Sequence, residues 1–241
     1  MTTLVVGASG ATGRLLVEQL LSRGQRVKIL VRSVNSLPEK VLKHENLTVI
    51  LASVLDLGDS EMSQHVQGCD AVVSCLGHNI SFKGLFGQPR RLVRDATRRL
   101  CGAIKANEVE VPLKFLLMNT TGNSNRDLSE EISFAQKCVL GLLRLLLPPH
   151  ADNEQAADYL RTEVGQNDNQ IEWTAIRPDN LIDDSETSSY EVHPSPTRSA
   201  IFNAGTTSRI NVAHFMAELI HDQALWTRWK GQMPVIYNSS S

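Results

Sequence analysis

Apolar residues fall along this chain in short continuous runs, separated by longer stretches in which they recur every three or four positions. The runs at 4–6, 26–31, 48–51, 71–74, 113–118 and 171–176 are rich in Val, Ile and Leu without strict alternation. That pattern predicts six strands buried on both faces, as in a parallel sheet. Leu15, Leu16, Leu20 and Leu21 repeat at helical spacing after the first run, and 60–66, 88–106 and 152–164 do the same beneath charged outer positions. Strand and helix therefore alternate, which predicts an α/β fold with helices on both faces of the sheet. The densest turn-forming stretch, 179–196, precedes a last helix at 212–223 and an apolar strand at 234–237.

The turn between the first strand and the first helix reads Val5-Val6-Gly7-Ala8-Ser9-Gly10-Ala11-Thr12-Gly13-Arg14. A tight turn, a backbone that can approach a pyrophosphate and close helix-on-strand packing each need a missing Cβ, and the first N–H groups of the helix attract phosphate charge. Placed between a strand and a helix, the run predicts a dinucleotide site in a Rossmann-type doubly wound parallel sheet, against the alternative of a glycine-rich turn that binds nothing. The second strand ends in Arg32-Ser33, where an NAD site places a carboxylate for the ribose hydroxyls. A guanidinium here can fork onto a 2′-phosphate, and Arg14 can reach the same group. NADP(H) is thus expected over NAD(H), the alternative being that Arg32 is a solvated strand-end charge.

At 241 residues, with 41% hydrophobic residues and a formal net charge of −2, the chain can bury a full core as one domain and steers toward no polyanion. The longest apolar run, 138–147, is broken by Gly141 and Arg144 and stopped by Pro148-Pro149. It falls far short of the roughly 20 residues of a membrane span and reads as a helix covering a cleft. Met1 leads straight into the first strand, so a cytoplasmic location and no membrane association are the expectation.

Cys69, Cys75, Cys101 and Cys138 show neither disulfide nor zinc spacing. Cys75, at a strand end, reads as a small core residue before a redox group. His150-Ala151-Asp152-Asn153-Glu154 is the one local cluster of ligand types, and without a second set of ligands no metal is expected there. Arg90, Arg94 and Arg98 form a basic stripe on a predicted helix, but no aromatic residues interleave and nucleic-acid binding is not expected. Trp173, Trp226 and Trp229 read as packing residues.

The G-x-x-G-x-x-G spacing of Gly7, Gly10 and Gly13 resembles the extended and atypical short-chain dehydrogenase/reductases. Val31-Arg32, the block Trp173-Thr174-Ala175-Ile176-Arg177-Pro178 and the block Ser208-Arg209-Ile210-Asn211-Val212-Ala213 add to the resemblance, toward the NmrA-like and biliverdin reductase B-like branches. It covers nearly the whole chain. The resemblance implies one NAD(P)-binding domain over 1–241, with 179–241 contributing a small C-terminal lobe on the substrate side.

It also implies roles for residues beyond the strand ends. Ser53-Val54 stand where relatives carry Asp-Val at the adenine, and Leu76-Gly77 lie in the loop passing over the ribose. Pro178 and Asn180 belong to the loop at the nicotinamide, and His78 and Arg209 are candidates for the substrate side. Arg209 precedes a helix N-terminus, so it could meet an acidic substrate group or serve as a structural tether. Thr120 occupies the place of the hydroxyl that bonds a substrate carbonyl, where it could equally cap the next helix. The family's Tyr-x-x-x-Lys has one nearby counterpart, Tyr159-Leu160-Arg161-Thr162-Glu163, in which Glu163 cannot replace the lysine. Aligned by Arg177-Pro178 instead, Asn153 stands in the lysine's place. Tyr159 is a candidate acid that reads more readily as a packed or substrate-side residue.

Two functional classes follow. One is an NADPH-dependent reductase of a small carbonyl, quinone or flavin-like acceptor. The other is a non-catalytic NADP(H) sensor or scaffold acting through a protein partner. A monomer is the expected state.

Overall fold

The computed structural model describes residues 1–78, 87–128, 130 and 133–239. Strands β1 (Thr2–Val6), β2 (Arg26–Val31), β3 (Leu47–Leu51), β4 (Ala71–Ser74), β5 (Leu113–Met118) and β6 (Ile171–Pro178) form the parallel sheet that the apolar runs predict. Strand β10 (Val235–Asn238) joins β6 in parallel, and β8 (Tyr190–His193) closes the edge antiparallel to β10. The order is β3-β2-β1-β4-β5-β6-β10-β8. The chain winds outward from β1 to β3 and then returns to the other side of β1 as β4. That reversal is the switch point of a doubly wound sheet, outside whose strand ends ligands lie.

Helices cover both faces. On one, α1 (Ala11–Ser22) packs beside α7 (Arg209–His221) and α8 (Gln223–Trp229), burying Leu16, Leu20, Phe215, Met216 and Trp226. On the other, α3 (Asp59–Val66), α4 (Leu92–Lys105) and α6 (Pro148–Tyr159) bury Met62, Leu100, Ile104 and Ala156 against Leu4, Val72 and Phe115. Alternate residues of β1, β2 and β4 feed the two clusters, so these strands carry apolar residues on both sides. A short α2 (Glu39–Leu42) follows β2, and α5 (Phe134–Leu146) precedes α6.

The structure departs from the expected elements in four places. The helix expected over 88–106 begins at Leu92, so Arg90 is not part of it and the basic stripe is broken. Arg98 instead lies over the Tyr159 ring, 5.8 Å from its centroid, and Arg99 donates to the carbonyls of Leu55 and Leu57. The helix expected from 152 begins at Pro148, because proline at the first helical position has no N–H to lose, and it finishes in a π-helical turn, Leu160–Val164. The helix expected over 212–223 starts at Arg209, capped by Ser208, whose hydroxyl accepts the Asn211 N–H at 3.3 Å, and ends at His221 ahead of a separate α8. Within 179–208, β7 (Asn180–Ile182) pairs with β9 (Thr206–Ser208) apart from the main sheet. Much of 179–241 therefore belongs to the main body, as α7, β8 and β10, while β7 and β9 stand beside it.

The three tryptophans are packed: Trp226 donates to Glu172 Oε2 at 2.5 Å, Trp173 to the Gly165 carbonyl at 2.6 Å, and Trp229 is buried. No described helix is long and apolar enough to cross a membrane.

Candidate functional site

The switch point is filled by the glycine turn. Gly7 has φ +78°, and its carbonyl accepts the Gly10 N–H at 3.0 Å. A Cβ on Gly7 would stand 2.5 Å from the carbonyl carbon of Cys75, and one on Gly13 would stand 2.2 Å from the Gly7 oxygen. Both positions exclude any side chain. The turn is thereby pressed against the loop after β4 and against the first turn of α1 at once. Ser9, Gly10 and Ala11 remain exposed, while Thr12 is buried beneath them. No acidic side chain lies in the first turn of α1, and none among the described residues caps it. An exposed glycine cradle ahead of free helix N–H groups suits a pyrophosphate. When bound, a dinucleotide would lie on Gly7, Ser9, Gly10, Ala11, Thr12 and Gly13 and would supply hydride chemistry at the strand ends.

Along the β2–β3 side of this edge, Arg32 and Ser33 are exposed and Arg14 is partly so. Ser53 follows β3, which is registered on β2 up to the Val31–Leu51 pair, so it lies beside Arg32. Its carbonyl accepts the Asp56 N–H at 3.0 Å, and Val54 is buried. After β4, Leu76 packs into the core and Gly77 is exposed. Burial pushes the Cys75 thiol up to about 12, which leaves it a protonated core group.

The other side is assembled from β4, β5, β6 and α6. Asp152, in α6, accepts the backbone N–H groups of Val93 and Arg94 at 2.8 and 3.0 Å, and so caps α4 from a different helix. The same carboxylate accepts His78 Nε2 at 2.8 Å, both side chains being buried. Asn119 accepts the Thr120 N–H at 2.8 Å, accepts the Asn123 amide, and donates to the Asn153 carbonyl at 3.0 Å. Thr120 takes a local role as well, since its oxygen accepts the Gly122 N–H at 3.3 Å. The Asn153 side chain donates back to the Pro149 carbonyl at 3.0 Å, within its own helix.

Pro178 is buried and Asn180 exposed at the end of β6. Between them Asp179 accepts the Thr121 hydroxyl at 3.0 Å and the Gly205 N–H at 2.8 Å, joining the loop after β5 to β9. Below this, Arg177 is fully buried. It donates to both oxygens of Glu130, at 2.7 and 3.2 Å, and to the carbonyls of Met233, Asn123 and Pro194. Its planar fork thus binds the loop after β5, the entry to β10 and the segment after β8 in one network.

One expected site residue lies elsewhere. Tyr159 stands at the far end of α6, beside Lys105, Cys101 and Arg98, with its phenol pushed up by burial. The C-terminal end of α4, which Lys105 marks, lies at the opposite edge of the sheet from Gly7 and Thr120. Arg209 pairs with the exposed Asp183 at 2.9 Å.

Asp179, Glu130 and the trans-capping Asp152 carry no local motif, and apart from the Asn125 N–H that Glu130 also accepts, their partners are between 26 and 74 residues away. Arg177 was visible only as part of its motif block. Glu154 of the former ligand cluster is taken by Arg126 and Arg144, and among the described residues no three His, Cys, Asp or Glu side chains are grouped to hold a metal ion.

Sheet order and glycine cradle together define a dinucleotide-binding protein with a Rossmann-type fold. A family model described as NAD(P)H-binding matches residues 7–223, nine-tenths of the sequence, and the chain belongs to that family. An uncharacterised chloroplastic protein of Arabidopsis thaliana is 28% identical over 216 residues, covering 90% of this chain and 70% of the relative. Among solved structures, a short-chain dehydrogenase/reductase from Veillonella parvula in complex with NADP superposes with a TM-score of 0.71 at 18% identity, over 99% of this chain and 95% of that one. ChuY, an anaerobillin reductase from Escherichia coli O157:H7, superposes with a TM-score of 0.68 at 18% identity, over 100% and 98%. These likenesses establish the shared fold.

Proposed function

We propose that the protein binds NADP(H) in preference to NAD(H) and transfers hydride to a small carbonyl, quinone or flavin-like acceptor. The observation that carries the cofactor preference is the exposed Arg32 at the end of β2, where a carboxylate would serve NAD. Arg14, just inside α1, offers a second guanidinium to the same 2′-phosphate. The NADP found in the Veillonella protein and the reductase activity of ChuY support this reading by analogy of fold. On the acceptor side, Thr120 and the Pro178–Asn180 turn stand at the strand ends where such an acceptor would meet the nicotinamide.

A second reading has a specific observation behind it. No Tyr-x-x-x-Lys pair is present, and Tyr159 lies at the wrong end of α6, which suits a cofactor-binding sensor that acts through a protein partner. Calorimetric titration with NADPH, NADP⁺, NADH and NAD⁺ in one buffer tests the first point. Binding that weakens at least about 10-fold without the 2′-phosphate supports it, and equal affinities refute it. NADPH oxidation with menadione, 4-nitrobenzaldehyde and flavin mononucleotide then separates the two readings, since a sensor binds NADPH and oxidises none of it.

A further inference from the structure

We infer that His150 is the proton donor of the acceptor site, an assignment that rests on the reductase reading. His150 stands in the first turn of α6, half-buried, and its ring faces the loop after β5. The point where a Cβ on Gly122 would stand is 3.2 Å from His150 Cε1, 3.6 Å from Nδ1 and 3.7 Å from Thr120 Oγ1. The absent side chain of Gly122 thus leaves imidazole and hydroxyl around one small space.

The neighbouring candidates are already committed. Asp152 holds His78 and the α4 backbone, Asn153 bonds within its helix, and Glu154 is claimed by two arginines. Among the described residues the His150 ring makes no hydrogen bond. Thr120 accepts from the Gly122 N–H, and its own hydrogen finds no acceptor among the described residues. One polar group able to release a proton and one able to hold a carbonyl oxygen therefore share the edge where the strands end.

The chemistry that a bound reduced nicotinamide would supply there is a hydride to the carbonyl carbon, one hydrogen nucleus with two electrons, which leaves the oxygen in need of one proton. His150 supplies the proton. The N–H bond of its imidazolium breaks, an O–H bond forms on the acceptor oxygen, and the neutral ring takes a new proton from water. Thr120 donates a hydrogen bond to that oxygen while its charge develops. Burial lowers the His150 pKa below its ordinary 6.5, opposed by Glu154 on its own helix and aided by Arg144 on α5. The protonated donor is then favoured on the acid side of that value, and turnover falls as pH rises through it.

Two measurements test this. The Cε1–H resonance of His150 is followed by NMR through pH, with and without saturating NADP⁺. NADPH oxidation by menadione and 4-nitrobenzaldehyde is recorded against pH for the wild type, His150→Gln and His150→Phe, each checked for its Tm and for NADPH affinity. We expect a resonance that titrates below pH 6.5 and moves with NADP⁺. We also expect kcat lowered about 10²-fold in both variants, the fall in turnover as pH rises through the His150 pKa gone, and affinity within about 2-fold. A resonance untouched by NADP⁺, or a His150→Gln enzyme that matches the wild type across pH, overturns the inference and leaves the reductase reading standing. Tight NADPH binding with no acceptor reduced overturns that reading and the inference with it.

Discussion

The two halves of the strand-end edge are built on opposite plans. The glycine turn is a stretch of seven consecutive residues, Gly7 to Gly13, that works through backbone N–H groups and the absence of side chains. The proposed acceptor half draws His78 from beyond β4, Thr120 from beyond β5, His150 and Asp152 from α6, and Asp179 from beyond β6. It works through side chains, of which His78 and Asp152 are bound to each other and Asp179 is bound to Thr121. A phosphate cradle needs the same geometry for every dinucleotide, so a local turn suffices. An acceptor pocket has to be shaped by tertiary contacts, and there the binding of one group by another decides which side chains stay available for chemistry.

That contrast can be broken at either half. Gly10→Asp places a carboxylate against the pyrophosphate at the exposed tip of the turn, and should weaken NADPH binding by about 10³-fold or more with Tm little changed; normal affinity by calorimetry would sink the phosphate-turn assignment. Arg177→Met should leave Glu130 buried and unpaired beside Asn125, costing about 3–5 kcal/mol in urea unfolding. A cost under about 1 kcal/mol would mean that the network around Arg177 does not hold the acceptor half together. Arg32→Asp sharpens the comparison within the cofactor half: NADPH affinity should drop about 10- to 100-fold and NADH affinity hardly at all. Equal losses would show a solvated charge. Smallest of all, Tyr159→Phe should keep turnover within about 2-fold, since the phenol sits among Arg98, Lys105 and Cys101 away from the strand ends. A loss of orders of magnitude would return Tyr159 to the chemistry.

Local pattern carried a long way. Strands β2, β4 and β5 run over the residues that their apolar runs mark, because a strand buried in the middle of the sheet needs a segment dominated by apolar residues. The weaker boundaries have distinct causes. Pro148-Pro149 read as a stop for one helix but also opens the next, since proline suits a first turn. Residues 180–182 and 190–193 fall in the stretch read as turn-forming, and 206–208 carries no predicted element, because each of these strands is only three or four residues long, too short for any period to show.

By itself the amino-acid sequence determined the doubly wound sheet and the glycine turn at its switch point. Both depend on periodicity and on glycines whose neighbours in space are also neighbours in the chain. Only the tertiary structure decided that Arg177 meets Glu130 across 47 residues, that Asp152 caps α4 and holds His78, and that Tyr159 is carried away from the site while His150 is left beside Thr120. Those pairings are between side chains set by sheet order and helix length. No spacing of residue types records which buried group a carboxylate or a guanidinium will find.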